Sequence, residues 1–407
     1  MSVQLPQEMV DSIIDSVSQL AKPKSNVYLR MCSLVARSWV YRAQHHLFRS
    51  IVLHSPGSRC HPTTSLWKRK LGTRSDGPTL HVAHLTLERI SSQEFRDFAP
   101  CLSTFRNLKN LSLRCWDSSD LDSRVFLSCF LSFAPSLTGL TLWCARHEHS
   151  HGLDLYTFIT LVNSFPHLER LSLLNFHLHP SPKSSPKPRT RSSFTGELRI
   201  AMFTNEDLVL LSRISWKPRG LALEYTGHPI TSFDGIVSSC GKHLQSIEVD
   251  SHTYGRSFDH TPLSWSIGSD VGFVIVLGKR LLESCLTLTD LSFYYHDPKS
   301  FDNQTSRLII SATSSGPSVI TFIFRHDIIR FSEFLEGLHV RHPWHEVDGA
   351  LSRLSSKRSG TPLAVNVLLD YAKCGATVIA ELQDQIKQYR FLERFRKTNV
   401  VGVLGGY

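Results

Sequence analysis

The sequence lacks any long hydrophobic run. Its longest apolar stretch, Val271–Leu277, is far too short to span a bilayer, which takes about 20 apolar residues. The N-terminal segment carries Glu8, Asp11 and Asp15, where a signal peptide needs a basic and then an apolar stretch. Both absences argue against secretion and membrane insertion. We therefore expect a cytoplasmic or nuclear protein.

Paired cysteines are also lacking. The chain has nine cysteines, an odd number, and they are widely spaced with no Cys-x-x-Cys pair. Several lie inside apolar segments, as Cys129 does. Buried free thiols in a reducing compartment explain this pattern best.

Motifs for catalysis and metal binding are missing as well. No Gly-x-Ser-x-Gly occurs, and Gly235–Lys242 and Gly272–Lys279 have five residues between their glycines where a phosphate-binding loop has four. The histidines of Cys144–His151 could chelate zinc on an extended segment. However, they fall in a predicted loop after a strand, where solvated polar residues are expected. We expect no enzyme, no cofactor and no metal site.

Basic charge is plentiful, because the formal net charge is +10. One basic stretch is Trp67–Arg74, and a second, at 180–193, carries four basic side chains and no acid. The prolines in this second stretch predict a disordered insert over residues 177–195. It can serve as a soluble spacer, a phosphorylation target or a nucleic-acid contact. It has no aromatic residues to stack on bases, so nucleic-acid binding ranks lowest.

The first forty residues favour two short amphipathic helices. Pro6 suits the start of a helix, and apolar residues follow at spacings of three and four, namely Leu5, Met9, Val10, Ile13, Ile14 and Val17. A second segment repeats the spacing with Leu29, Cys32, Val35 and Trp39. Two such helices cannot bury their apolar faces alone, so they need a following domain or a partner protein.

Residues 3–53 resemble an F-box. The family's opening pattern stands here as Leu5-Pro6-Gln7-Glu8-Met9, and its later Cys-Arg-x-Trp region as Val35–Trp39, with Ala36 replacing the usual Cys. The tail Leu47–Ile51 is similar to F-box-like proteins of mushroom-forming fungi. The resemblance implies docking on the Skp-type adaptor of a cullin ubiquitin ligase, through Leu5, Pro6, Met9, Val10, Ile13, Ile14, Leu29, Val35 and Trp39. The alternative is a helical hairpin that only caps the next domain.

An apolar-x-x-apolar-x-apolar template recurs through the rest of the chain. Its middle residues lie 23–31 residues apart, with one interval of 44, and they are Leu85, Leu111, Leu140, Leu171, Leu198, Leu221, Ile247, Leu291 and Phe322. A helical half follows several strands and ends near a proline, as at Pro100 and Pro166. Such units resemble the irregular leucine-rich repeats that follow F-boxes, which close a core only by stacking. A non-solenoid α/β domain is the alternative.

The repeat departs from the family after each strand. The family's Asn or Cys comes three residues after the last strand leucine, whereas here Cys115, Cys144 and Asn175 come two after. The sequence therefore leaves open whether these residues form the usual hydrogen-bonded ladder.

These patterns predict an α/β chain in four parts. An all-helical F-box-like module spans 1–53 and a basic linker 54–79. A leucine-rich-repeat-like solenoid spans 80–370, interrupted by the insert, and a helical cap spans 371–407.

Strand residues between the apolar positions should face a concave, solvated surface. The residues there that suit protein binding are large or charged, and they are Arg114, Trp143, Leu174, Glu224, Glu248, Asp250, Tyr294 and Arg325. The acidic members suggest a basic peptide as cargo. The expected function is a non-enzymatic substrate adaptor of a ubiquitin ligase. A leucine-rich-repeat scaffold unrelated to ubiquitination and a nucleic-acid-associated protein are the alternatives.

Overall fold

The fold comes from a computed structural model of the whole chain. It describes residues 5–20, 24–55, 78–116, 127–128, 130, 136–144, 153–180, 191–201, 203–225, 233–251, 282, 285–295, 316–325, 349–351, 353–354, 356 and 363–370. Three expectations lie outside these residues: most of the 54–79 linker, the loop histidines His147, His149 and His151, and the C-terminal cap 371–407.

The chain divides into two compact units, Met1–Arg189 and Thr190–Tyr407. The first contains an N-terminal helical region and a parallel sheet, and the second contains another set of parallel strands. The fold class is therefore α/β, as predicted. The division falls inside the 177–195 insert rather than between the helices and the repeats.

The helical region has three helices where the sequence predicted two. They are α1 (Gln7–Ser18), α2 (Lys24–Val35) and α3 (Arg37–Phe48). The second predicted helix breaks at Ala36, whose backbone is extended with φ −155° and ψ 156°. The break allows α3 to fold back, so that the three helices share one buried cluster of Val10, Ile14, Leu29 and Ala43 with Val17, Cys32, Trp39 and Leu47 packed on it.

A hydrogen-bonded triad ties α1 to α3. The Arg42 guanidinium donates to both carboxylate oxygens of Asp15, at 2.7 Å from Nε and 2.6 Å from Nη2, and His46 Nε2 lies 2.8 Å from Asp15 Oδ1. These hydrogen bonds, first that from Arg42, hold the pKa of Asp15 well below its usual range although burial opposes them. The triad fixes how α3 lies across α1.

The sheet of the first unit is built from five parallel strands. They are β1 (Ser50–His54), β2 (His84–Glu88), β3 (Asn110–Trp116), β4 (Gly139–Cys144) and β6 (Arg170–Leu174), paired in that order. The template leucines pair in register from Leu85 through Leu111 and Leu140 to Leu171, and each is at most 1% exposed. Because Ser50–His54 pairs with β2, the end of the 1–53 segment belongs to the sheet.

Capped helices follow several strands. Helix α4 (Ser92–Leu102) begins with a capping box between Ser91 and Glu94, and in α5 (Leu155–Asn163) the Asp154 side chain accepts from Thr157 N–H. Helix α5 ends just before Phe165-Pro166, as the sequence predicts. Helix α4 instead continues two residues past Pro100, since a proline in the last turn removes only one intrahelical hydrogen bond.

The 177–195 insert is ordered at both ends. Strand β7 (Leu178–His179) pairs with β5 (Leu153–Asp154), and Leu178 is buried. In the second unit, Ser192 and Phe194 are buried, and the Phe194 ring meets Trp216 edge-on at 6.5 Å. The predicted insert therefore shrinks to residues 181–190, which lie outside the described part.

The second unit repeats the pattern with six parallel strands. They pair in the order β8 (Glu197–Ala201), β9 (Gly220–Tyr225), β10 (Ser246–Ser251), β11 (Asp290–Tyr295), β12 (Val319–Arg325) and β13 (Ala364–Asp370). Helix α6 (Asn205–Ser212) starts with a capping box of Thr204 and Asp207, and α7 (Phe233–Cys240) precedes β10. The template residues Leu198, Leu221, Ile247 and Leu291 are buried, and each pairs with the next on the neighbouring strand.

We expect Asp15→Asn to lower the free energy of unfolding at pH 7 by about 0.5–1 kcal/mol, a modest figure because Asp15 and Arg42 are over a third exposed. The folded-state pKa of Asp15 is lowered, so the stabilisation is present above the unfolded pKa of ~3.9 and is lost as the pH falls from there towards the folded-state pKa. Chemical denaturation of both proteins at pH 7 and at pH 3 checks this. The prediction would be contradicted if the difference in unfolding free energy between the two proteins were the same at pH 7 and at pH 3.

Replacing residues 181–190 with a Gly/Ser segment of equal length should change the melting temperature by less than about 2 °C, because their composition cannot form a core. Phe194→Ala is the contrasting variant and should cost about 3–4 kcal/mol through the cavity it leaves beside Trp216. Thermal and urea unfolding measure both. A large loss of cooperativity in the linker variant would show that 181–190 is structural.

Candidate interaction surfaces

The three N-terminal helices expose an unusual amount of apolar surface. Ten of the fourteen large apolar side chains that are exposed in the described part of the chain lie within the first 41 residues. Met9 and Ile13, four residues apart, share one face of α1. The full set, here called the helical surface, is Leu5, Met9, Ile13, Leu20, Val27, Tyr28, Met31, Leu34, Val35 and Tyr41.

The structure divides the residues predicted to bind an adaptor into two groups. Leu5, Pro6, Met9, Ile13 and Val35 are exposed, with Val35 exposed at 64%. The others form the shared helical core: Val10, Ile14 and Leu29 are at most 2% exposed, and Trp39 packs on them half-buried. Of the residues predicted to bind an adaptor, only the exposed ones are therefore accessible to a partner: Leu5, Pro6, Met9, Ile13 and Val35. The sequence reasoning missed Met31, Leu34 and Tyr41, which are exposed at 58%, 85% and 71% on α2 and α3.

On the sheet of the first unit, the residues between the leucines line a half-exposed face. Arg114, Trp143 and Leu174 are cross-strand neighbours there, since the register pairs Arg114 with Trp143 and Trp143 with Leu174. Leu142 and Cys144, on either side of Trp143, are buried, whereas Trp143 itself is half-buried. The predicted strand register is therefore the observed one at β4.

The same face carries a polar row whose members the sequence analysis placed on the concave side but did not select as binding residues. His84, Asn110, Gly139 and Arg170 pair in register on four neighbouring strands. Asn110 Nδ2 lies 3.0 Å from His84 Nδ1, and Arg170 Nη2 donates to Asn110 Oδ1 at 3.5 Å. A Cβ at Gly139 would lie 2.1 Å from Asn110 Oδ1. The glycine leaves the space through which Asn110 and Arg170 meet.

One of the three residues that follow the strands, Asn175, makes a hydrogen bond of the kind expected for the ladder, a point that the sequence left open. Asn175, in the left-handed region at φ 47°, donates from Nδ2 to the Cys144 carbonyl at 3.2 Å. The bond is buried and links the last residue of β4 to the turn after β6. The shorter spacing after the strand therefore still allows a side-chain rung here.

In the second unit the corresponding face is acidic. Arg199 Nη2 donates to Glu224 Oε2 at 2.7 Å, and Glu224 is 9% exposed. Burial works against the Arg199 charge, but the Glu224 hydrogen bond and the charges of Glu224, Asp250 and Glu248 outweigh it and raise the pKa of Arg199. These residues surround a cavity of about 50 Å³ beside Tyr294.

The other substrate-binding candidates of this unit fall on the same face. The register places Glu224, Asp250, Tyr294 and Ile323 in one row across β9 to β12. Arg325 lies two residues beyond Ile323 and pairs by backbone with Asp370 of β13. The structure thus brings Glu224, Glu248, Asp250 and Tyr294 together around Arg199, a residue that the sequence analysis did not select.

Within the described residues, no group of three or more His, Cys, Asp or Glu side chains could hold a metal ion. None of the helices described here combines the length and apolar character needed to cross a membrane. No protein family matches the sequence, and no curated protein matches it either.

We expect Trp143→Ala to weaken capture of a protein cargo while lowering the stability of the chain by only about 1–2 kcal/mol, because its side chain is half-exposed and loses mainly cross-strand contacts. Leu142→Ala, its buried neighbour, is the comparison and should cost about 2–5 kcal/mol. Urea denaturation of the two variants measures the difference. Equal losses of unfolding free energy in the two variants would show that the Trp143 side chain lies in the core and not on the proposed binding face.

Proposed function

We propose that this chain is a non-enzymatic substrate-recognition adaptor, whose N-terminal helices dock on the Skp-type adaptor protein of a cullin ubiquitin ligase and whose strand faces hold a protein substrate. The observation that carries the proposal is the helical surface. Monomeric soluble proteins rarely expose a large contiguous apolar patch, and those that do generally use it to bind a partner. Ten exposed large apolar residues within the first 41 residues, eight of them on three short helices, are difficult to explain without a partner.

The internal core of the helices supports this reading. Val10, Ile14, Leu29 and Ala43 already bury one another, so the exposed side chains are not needed to hold the helices together. The Asp15–Arg42 pair fixes α1 against α3 independently of those side chains. Together with the F-box-like Leu5-Pro6-Gln7-Glu8-Met9 pattern, this supports docking through Leu5, Met9, Ile13 and the exposed residues of α2.

For the second part of the chain, we propose a leucine-rich-repeat-like solenoid. Parallel strands at a recurring spacing, each with its apolar pair in register, support it. The Asn175 rung to the preceding turn supports it further. The half-exposed strand residues then form the cargo surface, with Trp143 as the apolar anchor and the acidic group around Arg199 suited to basic segments of a cargo.

The second candidate function is a repeat scaffold whose helices only cap the first strand. One observation favours it: α3 packs on the 3-10 turn Pro78–His81, where the Tyr41 and His81 rings meet edge-on at 4.9 Å and those of His45 and His81 at 5.9 Å. A cap accounts for this contact. It does not account for the exposed residues of α1 and α2.

Ile13→Asp combined with Met31→Asp should reduce pull-down of a Skp-type adaptor at least tenfold, because both side chains are exposed and a charge there opposes apolar docking. Val209→Asp, an exposed apolar position on α6, is the matched control and should leave pull-down unchanged. Circular dichroism should show the same helix content in all three proteins. Unchanged pull-down in the double variant would exclude this surface, and loss of the fold would favour the capping function.

A further inference from the structure

Helix α3 is joined to the sheet of the first unit by the chain and by a contact between rings. It runs into β1 within two residues of its end. It also packs on the 3-10 turn Pro78–His81, which precedes β2. There the centroid of the His81 ring lies 4.9 Å from that of Tyr41 and 5.9 Å from that of His45, and both contacts are edge-on. These rings hold α3 against the turn.

Both imidazoles of this contact are neutral at pH 7. His81 is 9% exposed, and burial lowers its pKa below the ~6.5 of a free histidine. Burial also lowers the pKa of the half-buried His45, and the charges of His46, His81, Arg42 and Arg49 lower it further. Each of these four groups is a cation or becomes one on protonation. A proton on His45 is therefore opposed by burial and by its neighbours.

The carboxylates of α1 have other partners. Asp15 accepts from Arg42 and lies 2.8 Å from His46 Nε2. The charge of Asp11 acts on Arg42 and raises its pKa. Helix α2 contains no acidic residue, and neither does the Pro78–His81 turn. The helical side of the contact thus offers no free carboxylate to a protonated ring.

The strand side of the contact is similar. Strand β2 begins with His84, whose pKa is lowered by burial and then by three neighbouring cations. Its acidic residue, Glu88, lies at the other end of the strand, 3.6 Å from His54 Nδ1. Among the described residues, no carboxylate forms a salt bridge with His45 or His81. Positive charge in this contact is therefore left without compensation.

We propose that the contact between α3 and the Pro78–His81 turn is a pH-sensitive joint, closed while His45 and His81 are neutral and opened when they take up protons. Two imidazolium rings at 5.9 Å repel each other, and Arg42 and Arg49 add to the repulsion. Opening brings both rings into water, where their charged forms are solvated. The proposal concerns how the helices lie on the sheet and does not rest on docking to a ligase.

The joint responds in the mildly acidic range. Because the pKa of both rings is lower in the closed state than the ~6.5 of an exposed histidine, the open state binds more protons. The closed contact is at full strength above this pH and weakens as the pH falls from there towards the lowered pKa values. His46 behaves differently, since a proton on its ring strengthens the hydrogen bond to the Asp15 carboxylate. Helix α1 therefore stays on α3 while α3 leaves the turn.

The test is amide hydrogen exchange of the full chain at pH 7.5 and at pH 5.5, corrected for the intrinsic pH dependence of exchange. The amide of Val82, which donates to the Thr79 carbonyl at 3.3 Å, reports on the turn. Its protection should fall at least about fivefold at pH 5.5, because two rings gain protons on opening. The amides of Leu111 and Leu113 in β3 are the internal reference and should keep their protection. Equal protection of the turn at both pH values would overturn the proposal.

Variants identify the rings responsible. His45→Gln should at least halve the pH-dependent loss of protection, and because His45 is half-buried the variant is expected to fold. His45→Gln combined with His81→Gln should abolish the loss, and circular dichroism at pH 7.5 checks that this protein folds. His243→Gln, at an exposed histidine of the second unit, is the control and should respond like the parent chain. A response in His45→Gln equal to that of the parent would overturn the proposal, whether or not the double variant folds.

Discussion

The register of the buried strand leucines is the constraint on which both strand faces depend. Leu85, Leu111, Leu140 and Leu171 lie side by side because each must be buried on the same side of its strand. A slip of one residue would turn every such side chain to the other face, at a cost of several buried apolar groups. Once this register is set, the residues between the leucines also align. The contact of Asn110 with Arg170 across Gly139 is a consequence of the same alignment.

The sequence predicted the elements that depend on local periodicity and missed the boundaries that depend on tertiary partners. The apolar template identified β2, β3, β4 and β6, because alternation alone determines which residues are buried. Strand β1 was assigned to the helical module, since Ile51 and Leu53 form a strand only because β2 offers backbone partners. The break at Ala36 was missed for a similar reason. It allows α3 to reach α1, and no local propensity signals that contact.

The candidate surfaces were likewise predicted where local periodicity determines burial and missed where tertiary contacts do. Alternation sufficed to place Trp143, Leu174 and Glu248 on the half-exposed faces. In α1, however, the apolar stripe is wider than the area that α2 and α3 cover, so Val10 is buried and the adjacent Met9 is exposed. The sequence cannot assign these two residues without knowing where α3 packs. Alternation also placed the members of the polar row on this face, but it did not predict their hydrogen bonds to one another, because the bonded residues lie 26 and 60 positions apart in the chain. The one local signal of these bonds is Gly139, a glycine opening a strand in which larger residues are favoured.

Charge on the strand face of the second unit disfavours nucleic acid as a ligand of that face, which supports the proposed protein cargo. Five carboxylates lie on the described face of the second unit, where Arg199 offsets one of them, and they are Glu197, Glu224, Glu248, Asp250 and Asp290. This acidity stands out in a chain whose net charge is +10. A nucleic acid presents negative phosphates along its whole length, so that face would repel it. A protein cargo carries both signs of charge and apolar side chains. Basic segments of such a cargo could therefore pair with the carboxylates of the acidic face.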